Sequence, residues 1–195
     1  MKRIILIITT ILCFLFLTLN TRAAEKQQEK SVEAIELLSG FSSGELRKKE
    51  DYQLIPVIFD LDFNLKPLTR RLNFDSAQLF QFQIEPFISG VFSPNNNFEA
   101  GTAFALKIGV LPEDRRFQPY LKAGAGFVFM SQHTLEQATQ FNFIEYSGVG
   151  LHYFLFKNTA LTFEYRLRHL SNAGIKEPNA GLNTDMFLGG VCCKF

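Results

Sequence analysis

The sequence predicts an all-β fold, an eight-stranded antiparallel β-barrel of a bacterial outer membrane, on three observations. From Glu33 to Phe195 the chain falls into about eight stretches of apolar–polar alternation with turn residues between them. Period-two patterning marks strands, and stretches of roughly ten residues suit strands tilted across a bilayer. Within each stretch one face is apolar, and the other mixes charges with glycine and alanine, as a crowded polar barrel interior requires. The N-terminal residues, finally, read as an export signal.

That signal is the first element. Met1, Lys2 and Arg3 precede Ile4 to Leu19, an uncharged run broken only by threonines, and small residues stand at Ala23 and Ala24. A basic start, an apolar centre and a small-residue exit make residues 1–23 a secretory signal peptide. The run is short for a membrane-spanning helix. Cys13 lies inside it after Leu12, with no lipoprotein acylation box. Residues 24–32 form a polar periplasmic lead-in, and residues 33–195 form the transmembrane barrel.

Strands are expected near 33–43, 53–63, 76–91, 97–110, 117–131, 140–155, 159–170 and 183–195. With a periplasmic N-terminus, the links near 44–52, 92–96, 132–139 and 171–182 face outward. An even strand number returns the C-terminus to the periplasm. The second link, NLKPLTRRLNF, is long for a periplasmic turn. The chain closes on FLGGVCCKF, and a terminal aromatic after an alternating strand resembles the assembly signal of outer-membrane barrels.

The faces decide between a barrel and a soluble sandwich, which also alternates. In Asn97–Val110, Phe98, Phe104, Leu106 and Ile108 oppose Glu99, Gly101, Ala103 and Lys107; farther on, Phe163, Tyr165 and Leu167 oppose Glu164, Arg166 and Arg168. In a sandwich the charged face would be the wetted surface. Glycine pairs at Gly124 and Gly126, Gly148 and Gly150, and Gly189 and Gly190 suit a narrow interior better. There Glu85, Glu99, Lys107, Lys122, Glu164, Arg166 and Arg168 can neutralise one another. The AGAGF run at 123–127 sits within a strand and opens no helix, so it is not a phosphate loop. Removing Lys2, Arg3 and Arg22 from the 20 basic residues leaves 17 against 19 acidic ones, a formal charge of −2. That balance gives no basic footprint for nucleic acid.

The stretch RHLSNAGIKEPNAG, Arg168 to Gly181, carries the chemistry. His169 and Ser171 lie two apart on a strand, so they point the same way with Cα atoms roughly 6.5 to 7 Å apart. An imidazole can span that gap to a serine hydroxyl, the condition for base-assisted attack. A His-x-Ser pair is common by chance, and its surroundings give it weight. Asn172 and Asn179 offer amide donors, Gly174 and Gly181 let backbone approach a ligand, and Pro178 stiffens the loop. His169 and Ser171 share parity with Leu161, Phe163 and Leu167, and the next strand brings Asn183, Asp185, Phe187 and Val191 to one face. The dyad therefore faces lipid, and a hydrolase there acts on something that lives in the membrane.

HLSNAGIKEPNAG, preceded by LTFEYRLR and followed by one closing strand, resembles the signature of the PagL-type lipid A 3-O-deacylases, also termed acyloxyacyl hydrolases. QIEPF, AGAGFVF and QFNFIEYSGVGLHYFL are similar across most of the barrel. The resemblance implies an outer-membrane enzyme that removes the ester-linked 3-position acyl chain of lipid A. It implies His169 as general base, Ser171 as nucleophile, and Asn172 and Asn179 as site asparagines. Asn179 is the preferred oxyanion donor and backbone N–H near Gly174 the second. One position departs: the glutamate that orients the histidine falls here on Asn183, which can hold the imidazole but brings no charge. Asp185 keeps charge and parity, about one pleat repeat away.

The implied partners are lipid A or lipopolysaccharide as substrate and the surrounding outer-membrane lipids, with no cofactor. No metal is implied either, since His133 and His152 fall on separate segments without ligand spacing. Cys192 and Cys193 point to opposite faces, a poor geometry for a disulfide; a lipid-facing Cys193 leaves a homodimer open. The main alternative is a catalytically silent outer-membrane barrel with a structural or interaction role, motivated by Asn183. A soluble sandwich and a phospholipase acting on other membrane esters are two further readings.

Overall fold

The computed structural model describes residues 32–46, 51–74, 76–132 and 136–195. The signal peptide with Cys13, the lead-in up to residue 31, and His133 lie outside the described residues. Val32 already opens the first strand. The strands are β1 (Val32–Glu45), β2 (Asp51–Asn64), β3 (Gln78–Ser93), β4 (Asn97–Pro112), β5 (Phe117–Met130), β6 (Phe141–Phe156), β7 (Thr159–Ser171) and β8 (Leu182–Lys194). Each pairs antiparallel with its neighbour in sequence, and β1 pairs with β8, so the sheet closes into a barrel. Closure leaves no unpaired edge, which is what lets a sheet stand in hydrocarbon. It also removes the soluble-sandwich reading.

β1, β2 and β4 run beyond the expected apolar stretches, ending at Glu45, Asn64 and Pro112, while β3 and β6 keep the expected 16 residues and lie one or two positions later. Backbone pairing continues past the lipid-facing belt into the rims, where side chains need not be apolar. The long second link has a structural cause. It contains a short helix, α1 (Lys66–Arg71), with Pro67 in its first turn, a position that tolerates the missing N–H. Lys66 ties α1 to the β4–β5 link through a 2.9 Å ion pair with Glu113.

Inside the barrel the expected charges meet. Lys122 Nζ lies 3.3 Å from Asp60 and 3.4 Å from Glu164, and also pairs with Glu85. Arg166 donates to Glu85 at 3.0 Å and to Glu164, and Arg168 to Glu99 at 2.8 Å. Lys107 joins Glu36 and Asp62, the latter at 3.3 Å. Glu36, Asp60 and Asp62 are members that the alternation pattern did not single out. Tyrosine hydroxyls complete the network: Tyr52 donates to Glu99 at 2.6 Å, Tyr120 to Glu164 at 2.7 Å, and Tyr146 to Glu85. Buried charges persist when they are paired and hydrogen-bonded in this way. The glycines make room for the tyrosines, since a Cβ on Gly150 would stand 2.2 Å from the Tyr120 ring.

The outer surface is the inverse. Phe59, Ile88, Phe104, Leu106, Leu121, Phe127, Phe163 and Phe187 all stand exposed there. Those side chains are stable in hydrocarbon and unstable in water. The barrel is therefore apolar outside and ionic inside.

Candidate active site

Strand register builds the site on the outer face, toward the β7–β8 loop. His169 stands directly opposite Asn183 on β8 and Glu145 on β6, and Glu145 in turn opposite Ala125 on β5. These residues share a face because directly paired residues always do. A depression of about 780 Å³ runs across β5 to β8 here, and its walls include Ala123, Ala125, Glu145, Ser147, His169, Asn183 and Asp185. Small side chains on β5 and β6 hollow it out between the bulky neighbours Phe127, Phe143 and Leu167.

The imidazole is held from two sides. His169 Nδ1 lies 2.6 Å from Asn183 Oδ1. An amide oxygen only accepts, so Nδ1 carries the proton and Nε2 keeps its lone pair. Gly181 covers the ring: with φ +75°, it sits where a Cβ would come within 2.4 Å of His169 Cε1 and 3.1 Å of Nε2. Ser171 ends β7 on the same face, opposite Phe143. Among the described contacts its hydroxyl makes no hydrogen bond with the imidazole. Asp185 pairs in register with Leu167, one repeat from His169, and accepts a hydrogen bond from Tyr165. Of the two residues expected as the orienting member, Asn183 is therefore the one on the ring.

The loop after Ser171 is built around Asn172, which is fully buried. Its backbone N–H donates to Asn179 Oδ1 at 2.9 Å, its Nδ2 to the Lys176 carbonyl at 2.6 Å, and its Oδ1 accepts the Gly174 N–H at 3.0 Å. Ala173 and Gly174 are both left-handed, φ 53° and 77°, which turns the chain sharply after the strand. Asn172 is thus occupied by loop contacts, and so is the Gly174 N–H. Asn179 spends its oxygen on Asn172, which leaves its amide nitrogen as the donor.

A second segment supports this loop, and no local signal in the sequence announces it. Gln137 bridges Asn179, the Ala180 N–H donates to the Glu136 carbonyl at 2.9 Å, and the Ala138 N–H to the Pro178 carbonyl at 3.0 Å. Gln137 Nε2 reaches the Leu170 carbonyl at 3.4 Å. The fifth link therefore clamps the seventh. Inside the barrel, the fold gathers one group that sequence spacing keeps apart: Glu36, His152 and Cys192 have potential ligand atoms within 4.8 Å of one another. The Lys107 ammonium already sits among them, bonded to Glu36 and 3.3 Å from His152 Nε2. A cation would have to displace a cation there.

A family model for lipid A 3-O-deacylase, PagL, matches residues 71–191, which take in β3 to β7, most of β8 and every wall of the depression. The chain belongs to the PagL family of lipid A 3-O-deacylases. Among solved structures it is similar to the crystal structure of the outer membrane enzyme PagL, with 16% identity over 82% of this chain and 99% of that chain and a TM-score of 0.56. It is also similar to the crystal structure of Neisserial surface protein A, with 10% identity over 83% of this chain and 96% of that chain and a TM-score of 0.58. At those identities the likeness lies in the fold. Nothing among curated proteins matches the chain. Family and architecture together make this an outer-membrane barrel of a deacylase family.

Proposed function

We propose that the chain hydrolyses the ester-linked 3-position acyl chain of lipid A by a serine–histidine mechanism on the lipid-facing surface. His169 Nε2 takes the proton of Ser171 Oγ as that oxygen attacks the acyl carbonyl. The amide nitrogen of Asn179 donates to the oxyanion that forms. Collapse expels the sugar oxygen, which takes the proton from the imidazolium, and water then hydrolyses the acyl-serine to release the fatty acid and restore the hydroxyl.

The 2.6 Å bond from His169 Nδ1 to Asn183 supports this most directly. It selects the tautomer whose Nε2 can act as base, on the face where a membrane ester would lie. The depression beside it would lodge part of the substrate against Ala123, Ala125 and Ser147. Residues 1–23 would serve as the export signal that precedes barrel assembly. Asn183 in place of a carboxylate favours one rival, a silent barrel that keeps the fold without the reaction.

Mass spectrometry of lipid A from cells expressing the wild type or Ser171→Ala separates the two. Loss of one 3-hydroxyacyl chain with the wild type alone is the expected result. An unchanged lipid A with a folded wild-type barrel would favour the silent one.

A further inference from the structure

A charge on the lipid-facing side of a barrel strand is destabilising, and it survives where function needs it. Away from the strand ends, the described outward-facing positions carry Glu145, His169 and Asp185 as their ionisable side chains, tyrosines apart. All three line the one depression. Asp185 is engaged by Tyr165, and His169 by Asn183. Glu145 has no polar partner among the described contacts, yet it stands directly across from His169 on β6. Directly paired residues place their Cβ atoms about 4.5–5.5 Å apart, within reach of a glutamate side chain and an imidazole. The neighbour of Glu145 on its other side is Ala125, which offers it nothing.

We infer that Glu145 supplies the negative charge that stabilises the His169 imidazolium during the reaction, a task that Asn183 cannot perform. The work of a single acidic triad member is divided between two strands: Asn183 orients the ring from β8, and Glu145 charges its surroundings from β6. Lipid excludes water from that face, so a carboxylate acts on the imidazolium with little screening. Glu145 touches neither substrate nor nucleophile in this scheme and is a positioning residue acting through His169. The inference rests on the deacylase reading above.

The test uses the full chain, purified in detergent and assayed on lipopolysaccharide, with Ser171→Ala, Glu145→Gln, Asn183→Glu and the double variant Glu145→Gln/Asn183→Glu. Glu145→Gln removes a charge from the lipid face and nothing from the core, so the barrel should fold; heat-dependent gel mobility checks this. The expected result is a fall in kcat on the order of tenfold to a hundredfold with KM little changed. Restoring a carboxylate from β8 in the double variant should recover most of that loss. A rise in KM at constant kcat would make Glu145 a substrate contact and overturn the inference, as would an unchanged kcat or a double variant no better than Glu145→Gln. If Ser171→Ala retains wild-type turnover, the deacylase reading itself falls; if it alone abolishes turnover while Glu145→Gln does not lower kcat, only the role of Glu145 does.

Discussion

The barrel holds two groups of ionisable side chains, one in the lumen and one on the outer face, built from the same kinds of residue and used oppositely. In the lumen Lys122 contacts three carboxylates and Arg166 two, so each charge is neutralised where it stands. On the outer face Glu145, His169 and Asp185 line a depression, and Arg168, which also borders it, commits its guanidinium to Glu99 in the lumen. A paired interior charge secures structure, and its removal should be felt as instability. An outward charge held against lipid offers chemistry, and its removal should be felt in turnover.

The largest effect expected from the lumen side is that of Arg166→Ala. It strands Glu85 and Glu164 with Lys122 as their remaining cation, and breaking a buried pair costs about 3–5 kcal/mol. Urea titration of the heat-modifiable band would read that loss, while the fraction that remains folded should deacylate at the wild-type rate. A variant that kept its stability but lost its activity would erase the distinction between the two groups.

Gly181→Ala tests the outer face with a smaller expected effect. The added Cβ meets the imidazole at 2.4 Å and must adopt a φ of +75°. It should displace the ring that Asn183 holds and lower kcat by about a hundredfold, as a displacement of about 1 Å can. The barrel, which closes through strands rather than through this loop, should keep its gel mobility shift. Near-normal turnover would mean that the ring position set by Asn183 and Gly181 does not matter.

Much of this was legible in the sequence, because parity is a local property. Alternation located all eight strands, and the common parity of His169 and Ser171 with Phe163 and Leu167 put the pair on the outer face. Four residues after Asn179, Asn183 stood where the resemblance called for a glutamate, and it is Asn183 that touches the ring. What escaped was register between strands separated by a loop. Glu145 stands opposite His169 in the register of β6 and β7, and that pairing depends on where the turn at 157–158 closes and on the irregularity between Phe154 and Phe156, neither of which alternation fixes. A signal was nevertheless present: in FNFIEYSGV, Glu145 shares parity with Phe141 and Phe143, a charge at a lipid-facing position. The Glu136–Gln137 clamp on the site loop carried no such mark, because it is made largely of backbone bonds between two links. Glu36, Asp60 and Asp62 were inward by parity, but only closure of β1 and β2 against the other strands brings them to Lys107 and Lys122.

An activated Ser171 nucleophile facing the lipid phase should be open to covalent labelling. The folded full chain in detergent would be treated with a long-chain alkyl phosphonofluoridate, a lipid-soluble serine-esterase reagent, and the adduct located by peptide mass spectrometry. A single adduct on Ser171 that is lost in His169→Ala is the expected result. No adduct on Ser171, from a preparation that still deacylates lipid A, would contradict it.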